Sequence, residues 1–341
     1  MNLAIIPLGM LLLSFFVTSI LIIPFIDLLY RIKFRRQKQH TKDIFEKRTP
    51  IFDKLHGWKV GTPVGGGLLV ICVVTFMALW AYGLLGIRAD VWKLGLLLFT
   101  FLSFGALGLL DDARKFFFAK TTQFWGLRFR HKMLIQLILS AIIALWLYGK
   151  LGYDFINIQW IGPVSIGIFF IPFVMFVVVA FANAFNITDG LDGLSTGVLV
   201  ICLFAFWVLA LGVFRDDPTL AVFIGIWVGS LMAFLYFNVY PARIWLGDVG
   251  ALSFGATLAV VGLLSGKIVA LPIIGGVFVV EVASSLLQLL WKRYAGKKLF
   301  PVAPLHLLLQ HKNWEEPKIV MRMWLAGIMF AILGLWLGLM Q

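Results

Sequence analysis

Charge is what this sequence has least of. Asp, Glu, Lys and Arg make up 13% of its 341 residues, about half of the ~25% usual in soluble domains, so an ordinary water-soluble globule is excluded. Acidic residues are the scarcer sign, 16 against 29 Lys and Arg, for a net charge of +13. Only two cysteines are present, Cys72 and Cys202. They lie in different apolar runs with no partner motif, which excludes a disulfide scaffold and leaves them as packing residues. Low-complexity tracts and internal repeats are also missing, and no stretch is long and polar enough to stand as a separate soluble domain. The Gly-rich string Gly61-Thr62-Pro63-Val64-Gly65-Gly66-Gly67 lacks the Gly-Lys-Ser/Thr ending of a P-loop.

What fills the chain instead is apolar runs of membrane-crossing length, since about 20 such residues span a bilayer as a helix. Ten spans are expected, over 3–29, 64–86, 92–110, 133–149, 163–186, 194–213, 219–239, 249–264, 268–290 and 319–340. The separation of the eighth from the ninth at Ser265-Gly266-Lys267 is the weakest boundary. The first run is too long for a signal-peptide core and lacks a small-residue cleavage site, so it reads as a retained helix. The expected fold is an all-α polytopic membrane protein, one integral membrane domain over 1–341.

Basic residues orient these spans. With the N-terminus outside, 23 of the 29 Lys and Arg fall in the inner loops 31–63, 111–132, 187–193, 240–248 and 291–318. Only Arg88, Lys93, Lys150, Arg215 and Lys267 fall outside, with Arg322 in the last span. This bias places both termini outside and a basic face in the cytoplasm. Topology together with attraction to anionic lipid is one reading of all of that charge. Nucleic acid is not expected as a partner, because the basic residues are spread over short loops between spans.

The same orientation puts five aspartates on the inner side, although they played no part in choosing it. Asp111 and Asp112 close the third span, Asp189 and Asp192 follow the fifth, and Asp248 opens the eighth. Acidic groups at a membrane boundary are costly and mark function. Adjacent Asp111 and Asp112 sit at the unfavourable negative end of a helix dipole. They call for Arg114, Lys115 or a divalent cation beside them; the cluster reads as a Mg²⁺ ligand, a base or one of each. Asn183, Asn186, Asp189 and Asp192 recur every three residues, a spacing that cannot keep one helical stripe. Gly190 and Gly193 therefore predict a helix break that aims polar groups into a cavity. Asp248, in Gly247-Asp248-Val249-Gly250, reads alone as a helix N-cap. Its value comes from sharing a face with the other two clusters. Lys59, Arg114, Lys115, Arg130 and Lys132, with the loop around His306, His311 and Lys312, supply positive charge. Carboxylates for a cation and lysines for phosphate suit phosphoryl transfer, which needs positioning and charge neutralisation above all. Glu281, inside the ninth span with Ser284, Ser285 and Gln288, reads as a structural hydrogen-bonding group, and His306 alone as a surface residue of a loop.

Several strings, in order and over nearly the whole chain, carry a family resemblance: Lys59-Val60-GTPVGGG, GLLDDARK, the loop from Gly126 and Leu127 to Lys132, NAFNITDGLDGLSTG, PARIWLGDVGAL, EVASSLLQ and GKKLFPVAPLHLLLQHKNWEEPKIVMRMW. The chain resembles the polyprenyl-phosphate N-acetylhexosamine-1-phosphate transferases, and most of all their phospho-muramoyl-pentapeptide branch. The resemblance implies a multi-pass enzyme of the bacterial cytoplasmic membrane. It would transfer phospho-MurNAc-pentapeptide from UDP-MurNAc-pentapeptide to undecaprenyl phosphate, releasing UMP, with UDP-GlcNAc as the alternative donor. It further implies Mg²⁺ on Asp248 and Asp111, and Asp111, Asp112, Asp248 and His306 as catalytic residues. Lys59, Lys115, Lys132, Asn183, Asn186, Asp189, Asp192 and Trp245 would bind substrate, with Trp245 stacked on uracil. A homodimer stays open. The branch usually carries three consecutive histidines where this chain has His306-Leu307-Leu308. Val64-Gly65 stands for the usual Thr-Met, and Ala251 for a serine. A cation-coupled transporter would need charges near the midplane and paired halves, and an inactive scaffold would be expected to lose the aspartates first.

Overall fold

The protein is described here from a computed structural model covering residues 5–35, 59–83, 89–117, 127, 129–158, 160–213 and 218–340. The loop stretches 36–58 and 118–126, together with Arg88 and Arg215 of the charge count, lie outside the described residues.

The apolar runs fold as helices: α1 (Ile5–Arg31), α2 (Gly66–Gly83), α3 (Val91–Phe117), α4 (Phe129–Gly149), α5 (Phe170–Thr188), α6 (Leu194–Val213), α7 (Thr219–Asn238) and α8 (Gly247–Leu264). They are followed by the short α9 (Leu271–Ile274), α10 (Gly276–Ala295), α11 (Leu305–His311) and α12 (Glu316–Leu339). Among the described residues, nine helices are long and apolar enough to cross a membrane: α1–α8 and α12. The helical, many-spanning architecture expected from the runs is therefore observed.

Three local expectations change. The span expected over 268–290 is broken into α9 and α10 at Gly275, and the polar side chains of α10 from Glu281 to Arg293 keep it out of the nine. The fifth span does not start at 163, because 155–165 forms an antiparallel hairpin, β1 (Phe155–Ile158) with β2 (Gly162–Ser165), followed by a 3₁₀ turn. Helix α3 runs on to Phe117, so Asp111 and Asp112 lie in its last two turns rather than at its end.

Helix α8 is the axis of the molecule, packed on α2, α3 and α5, while α1 runs along α7 and α6 lies between α7 and α12. Where α3, α7 and α8 meet, Phe101, Trp227 and Phe254 interlock with ring centroids 5.2–5.5 Å apart. Buried hydroxyls tie helices where lipid gives no hydrophobic drive: Thr18 donates to Ser230 (2.8 Å) and Ser253 to the Phe101 carbonyl (2.6 Å). Apolar side chains such as Phe76, Phe176 and Met329 point outward, as they do when the surrounding solvent is hydrocarbon.

Candidate active site

The catalytic candidates converge because successive helices alternate in direction. The last turns of α3, α5 and α7 meet the first turns of α4, α6, α8 and α12 at one end of the bundle. Asp111 and Asp112 come from α3, Lys132 from α4 and Asp248 from the first turn of α8. Lys115 Nζ lies 3.1 Å from Asp111 Oδ2, 3.8 Å from Asp112 Oδ1 and 2.9 Å from Asp248 Oδ2. Lys132 Nζ lies 3.0 Å from the same Asp111 oxygen and 2.6 Å from the same Asp248 oxygen. Backbone N–H groups complete the set, Leu127 donating to Asp111 (2.6 Å) and Val249 to Asp112 (3.2 Å). Asp248 is not the N-cap of α8: that position is Leu246, and Asp248 is the second residue of the helix. Its carboxylate turns to the lysines instead, so the capping expectation does not hold.

Gly247 makes this turn possible. Its φ of +79° is the left-handed region, and a Cβ there would come within 2.7 Å of Asp112 Oδ2.

The second constellation is the turn between α5 and α6. Helix α5 ends at Thr188, Asp189 stands at its C-cap, and α6 resumes at Leu194, which is the expected break. Asp189 accepts a hydrogen bond from Ser195 Oγ at 2.5 Å. Burial pushes its carboxyl up to about 6, with the Asp248 and Asp192 charges adding to the rise, while the Ser195 hydroxyl and Lys59 hold it down. Asp192 is buried among Lys59 Nζ (2.7 Å), the Ala242 N–H (3.0 Å) and Trp245 Nε1 (3.2 Å). Lys59 also sits 5.9 Å from the Trp245 ring centroid. Asn183 turns away toward α4, donating to Gln136 Oε1 at 2.6 Å and to the Val179 carbonyl. Asn186 lies one turn nearer to Asp189, partly buried.

His306 is not a surface residue: it lies in α11, 1% exposed, with Nδ1 3.0 Å from Glu281 Oε2. Glu281 also accepts the His306 backbone N–H at 3.2 Å, which gives it the structural role expected from its place in the span. The other ring nitrogen faces Gly190 so closely that a Cβ there would meet it at 2.4 Å. His306 is thus packed against the Asp189–Asp192 turn. Gln288 fixes the loop leading to α11 through Leu299 and Phe300.

Sequence reasoning passed over Glu316, which binds Lys59 and the Asp192 backbone. The signal was available, since Glu316 opens the last span just before Pro317, another acid at a span boundary.

Among the described residues, no three His, Cys, Asp or Glu are grouped to hold a metal ion. Two carboxylates do converge: Asp111 Oδ2 and Asp248 Oδ2 both lie within 3.1 Å of two separate ammonium groups. One or two carboxylates are what Mg²⁺ takes when phosphate and water complete its shell. The donor set fits such an ion on Asp111 and Asp248.

Comparison with known proteins places the chain in a family. The glycosyl transferase family 4 model matches residues 94–266, which hold all five aspartates. The phospho-N-acetylmuramoyl-pentapeptide-transferase of Thermodesulfovibrio yellowstonii is 34% identical, over 94% of this chain and 90% of its own length. Proteins of the same name from Rickettsia canadensis and Chloroflexus aggregans are 35% and 36% identical, over 82% and 83% of this chain and 80% and 79% of theirs. The chain belongs to glycosyl transferase family 4 and to one family with these phospho-N-acetylmuramoyl-pentapeptide-transferases.

Proposed function

We propose that the protein is a membrane phosphoglycosyl transferase. It moves phospho-MurNAc-pentapeptide from UDP-MurNAc-pentapeptide to undecaprenyl phosphate and releases UMP. One observation carries the reading: Asp111, Asp112 and Asp248 from two helices hold Lys115 and Lys132 at 2.6–3.8 Å, next to a turn lined by Asp189, Asp192 and Lys59. In the reaction a lipid-phosphate oxygen bonds to the sugar-linked phosphorus, the diphosphate bridge breaks, and its electron pair leaves on UMP. Lys115 and Lys132 are placed to neutralise phosphate oxygens, and Asp111 and Asp112 to keep the lysines oriented and receive the lipid-phosphate proton. Mg²⁺ held by Asp248 and Asp111 would add charge neutralisation at the diphosphate. Lys59, Asp192 and Trp245 would bind the nucleotide end, and the basic bias puts this face in the cytoplasm. The names of the relatives support the muramoyl donor.

The test is UMP release by purified protein with undecaprenyl phosphate and Mg²⁺, comparing the muramoyl donor with UDP-GlcNAc. Release with the first alone is expected, and EDTA should abolish it. Release with UDP-GlcNAc alone would replace the donor assignment, and no release from folded protein would overturn the function.

A further inference from the structure

We propose that Glu316, on α12, is a positioning residue for the nucleotide end of the site, acting through Lys59 and the Asp192 turn; this rests on the function proposed above. Glu316 is 7% exposed and lies in the first turn of α12, where the helix dipole favours a carboxylate. Its Oε1 accepts two hydrogen bonds, from Lys59 Nζ and, at 2.7 Å, from the Asp192 backbone N–H. The same lysine binds Asp192 Oδ1 at 2.7 Å, and that oxygen accepts Trp245 Nε1. One carboxylate oxygen thus fixes the buried Lys59 and the backbone of the acidic turn together. A second α12 side chain holds the same turn, since Trp324 Nε1 donates to the Gly193 carbonyl at 3.2 Å. The interactions of Glu316 are with Lys59 and Asp192, not with the lysines of the other cluster, whose ion pairs are with Asp111, Asp112 and Asp248. Loss of Glu316 should disturb nucleotide binding and spare the step at the lipid phosphate.

Replacing it with a side chain that cannot accept leaves a buried N–H unpaired and a lysine short of one carboxylate. A loss of about 10-fold in donor affinity corresponds to about 1.4 kcal/mol. The experiment compares full-length wild type, Glu316→Leu and Glu316→Gln in detergent. It reads KM for the UDP-linked donor, KM for undecaprenyl phosphate, kcat, and the Tm shift produced by UMP. The expected result is a donor KM raised 10-fold or more in Glu316→Leu, with kcat within about threefold and the lipid KM unchanged. UMP should give a smaller Tm shift. Glu316→Gln keeps an acceptor for the Asp192 N–H and should recover part of the loss. If Glu316→Leu is too unstable to assay, Glu316→Gln alone must show the raised donor KM. An unchanged donor KM, or a fall in kcat and Tm at constant donor KM, would overturn the positioning role. Inactive wild type would instead overturn the function on which it rests.

Discussion

Lys115 and Lys132 each touch Asp111 and Asp248, and that sharing decides how single substitutions behave. Changing one of three carboxylates to an amide leaves two for the two partly buried lysines, so neither is stranded, whereas losing a sole partner is what makes broken buried pairs costly. Asp248→Asn and Asp111→Asn should therefore fold. Each should lose at least about 100-fold in turnover, the scale of removing one preorganised electrostatic group. UMP release and thermal melting of the purified variants check both halves, and full activity in either would sink its assigned role. Asp189 gives a pH prediction. Its carboxyl is raised to about 6, so it is neutral below and charged above that pH. If the charged form serves donor binding, kcat/KM for the donor falls as pH drops from 7 toward 5. Asp189→Asn, slower at pH 8, should lack that limb; an unchanged limb would assign it to another group. The aspartates and lysines were legible as candidates because charge is rare in apolar runs. Their pairing was not, since Lys132 and Asp248 are 116 residues apart and only helix packing joins them.

At the scale of the element, the site depends on how closely α3 approaches α8. A Cβ on Gly108 would lie 2.1 Å from the Asp248 carbonyl oxygen, one turn before Asp111. Gly108→Ala has to push the two helices apart there. The expected cost is about 1–3 kcal/mol, as for other overpacked contacts, with kcat reduced more than donor affinity, because Asp111 and Asp248 move relative to each other. Melting temperature and a kcat-against-KM comparison check it; wild-type kcat would show that the contact relaxes elsewhere. The eight helices before the break were readable from apolar length, which is a local property. The hairpin at 155–165 was not, because Phe155-Ile156-Asn157-Ile158 merges into the apolar run that follows. The break before α10 was blurred in the same way. The polar residues that interrupt that run are those that serve the site, Glu281 for His306 and Gln288 for the loop before it.

For the whole molecule, the direction of each helix fixes which face of the bundle every loop occupies. Helices α2, α4, α6 and α8 start at the aspartate face, as α12 does, while α1, α3, α5 and α7 end there. The end of α1 is tied to the start of α2, Val64 N–H donating to the Phe34 carbonyl at 3.1 Å. Since α8 leaves that face and α12 starts from it, the chain must return between Leu264 and Glu316, and the broken α9–α10 segment makes the return. The chain thus comes back to the aspartate face through a segment that is not among the nine helices of full apolar length found in the described residues. The hairpin turn at Trp160, 80% exposed, then belongs to the opposite face from Tyr294, 82% exposed near the end of α10. The positive-inside rule predicts that the aspartate face is the cytoplasmic one. The test is labelling of single cysteines, Trp160→Cys and Tyr294→Cys, in full-length protein carrying Cys72→Ala and Cys202→Ala. In intact cells a membrane-impermeant maleimide should modify the Trp160 position and spare the Tyr294 position until the membrane is opened. The reverse pattern would invert the orientation and put the aspartates on the side away from the cytoplasm, where a UDP-linked donor made inside the cell could not reach them.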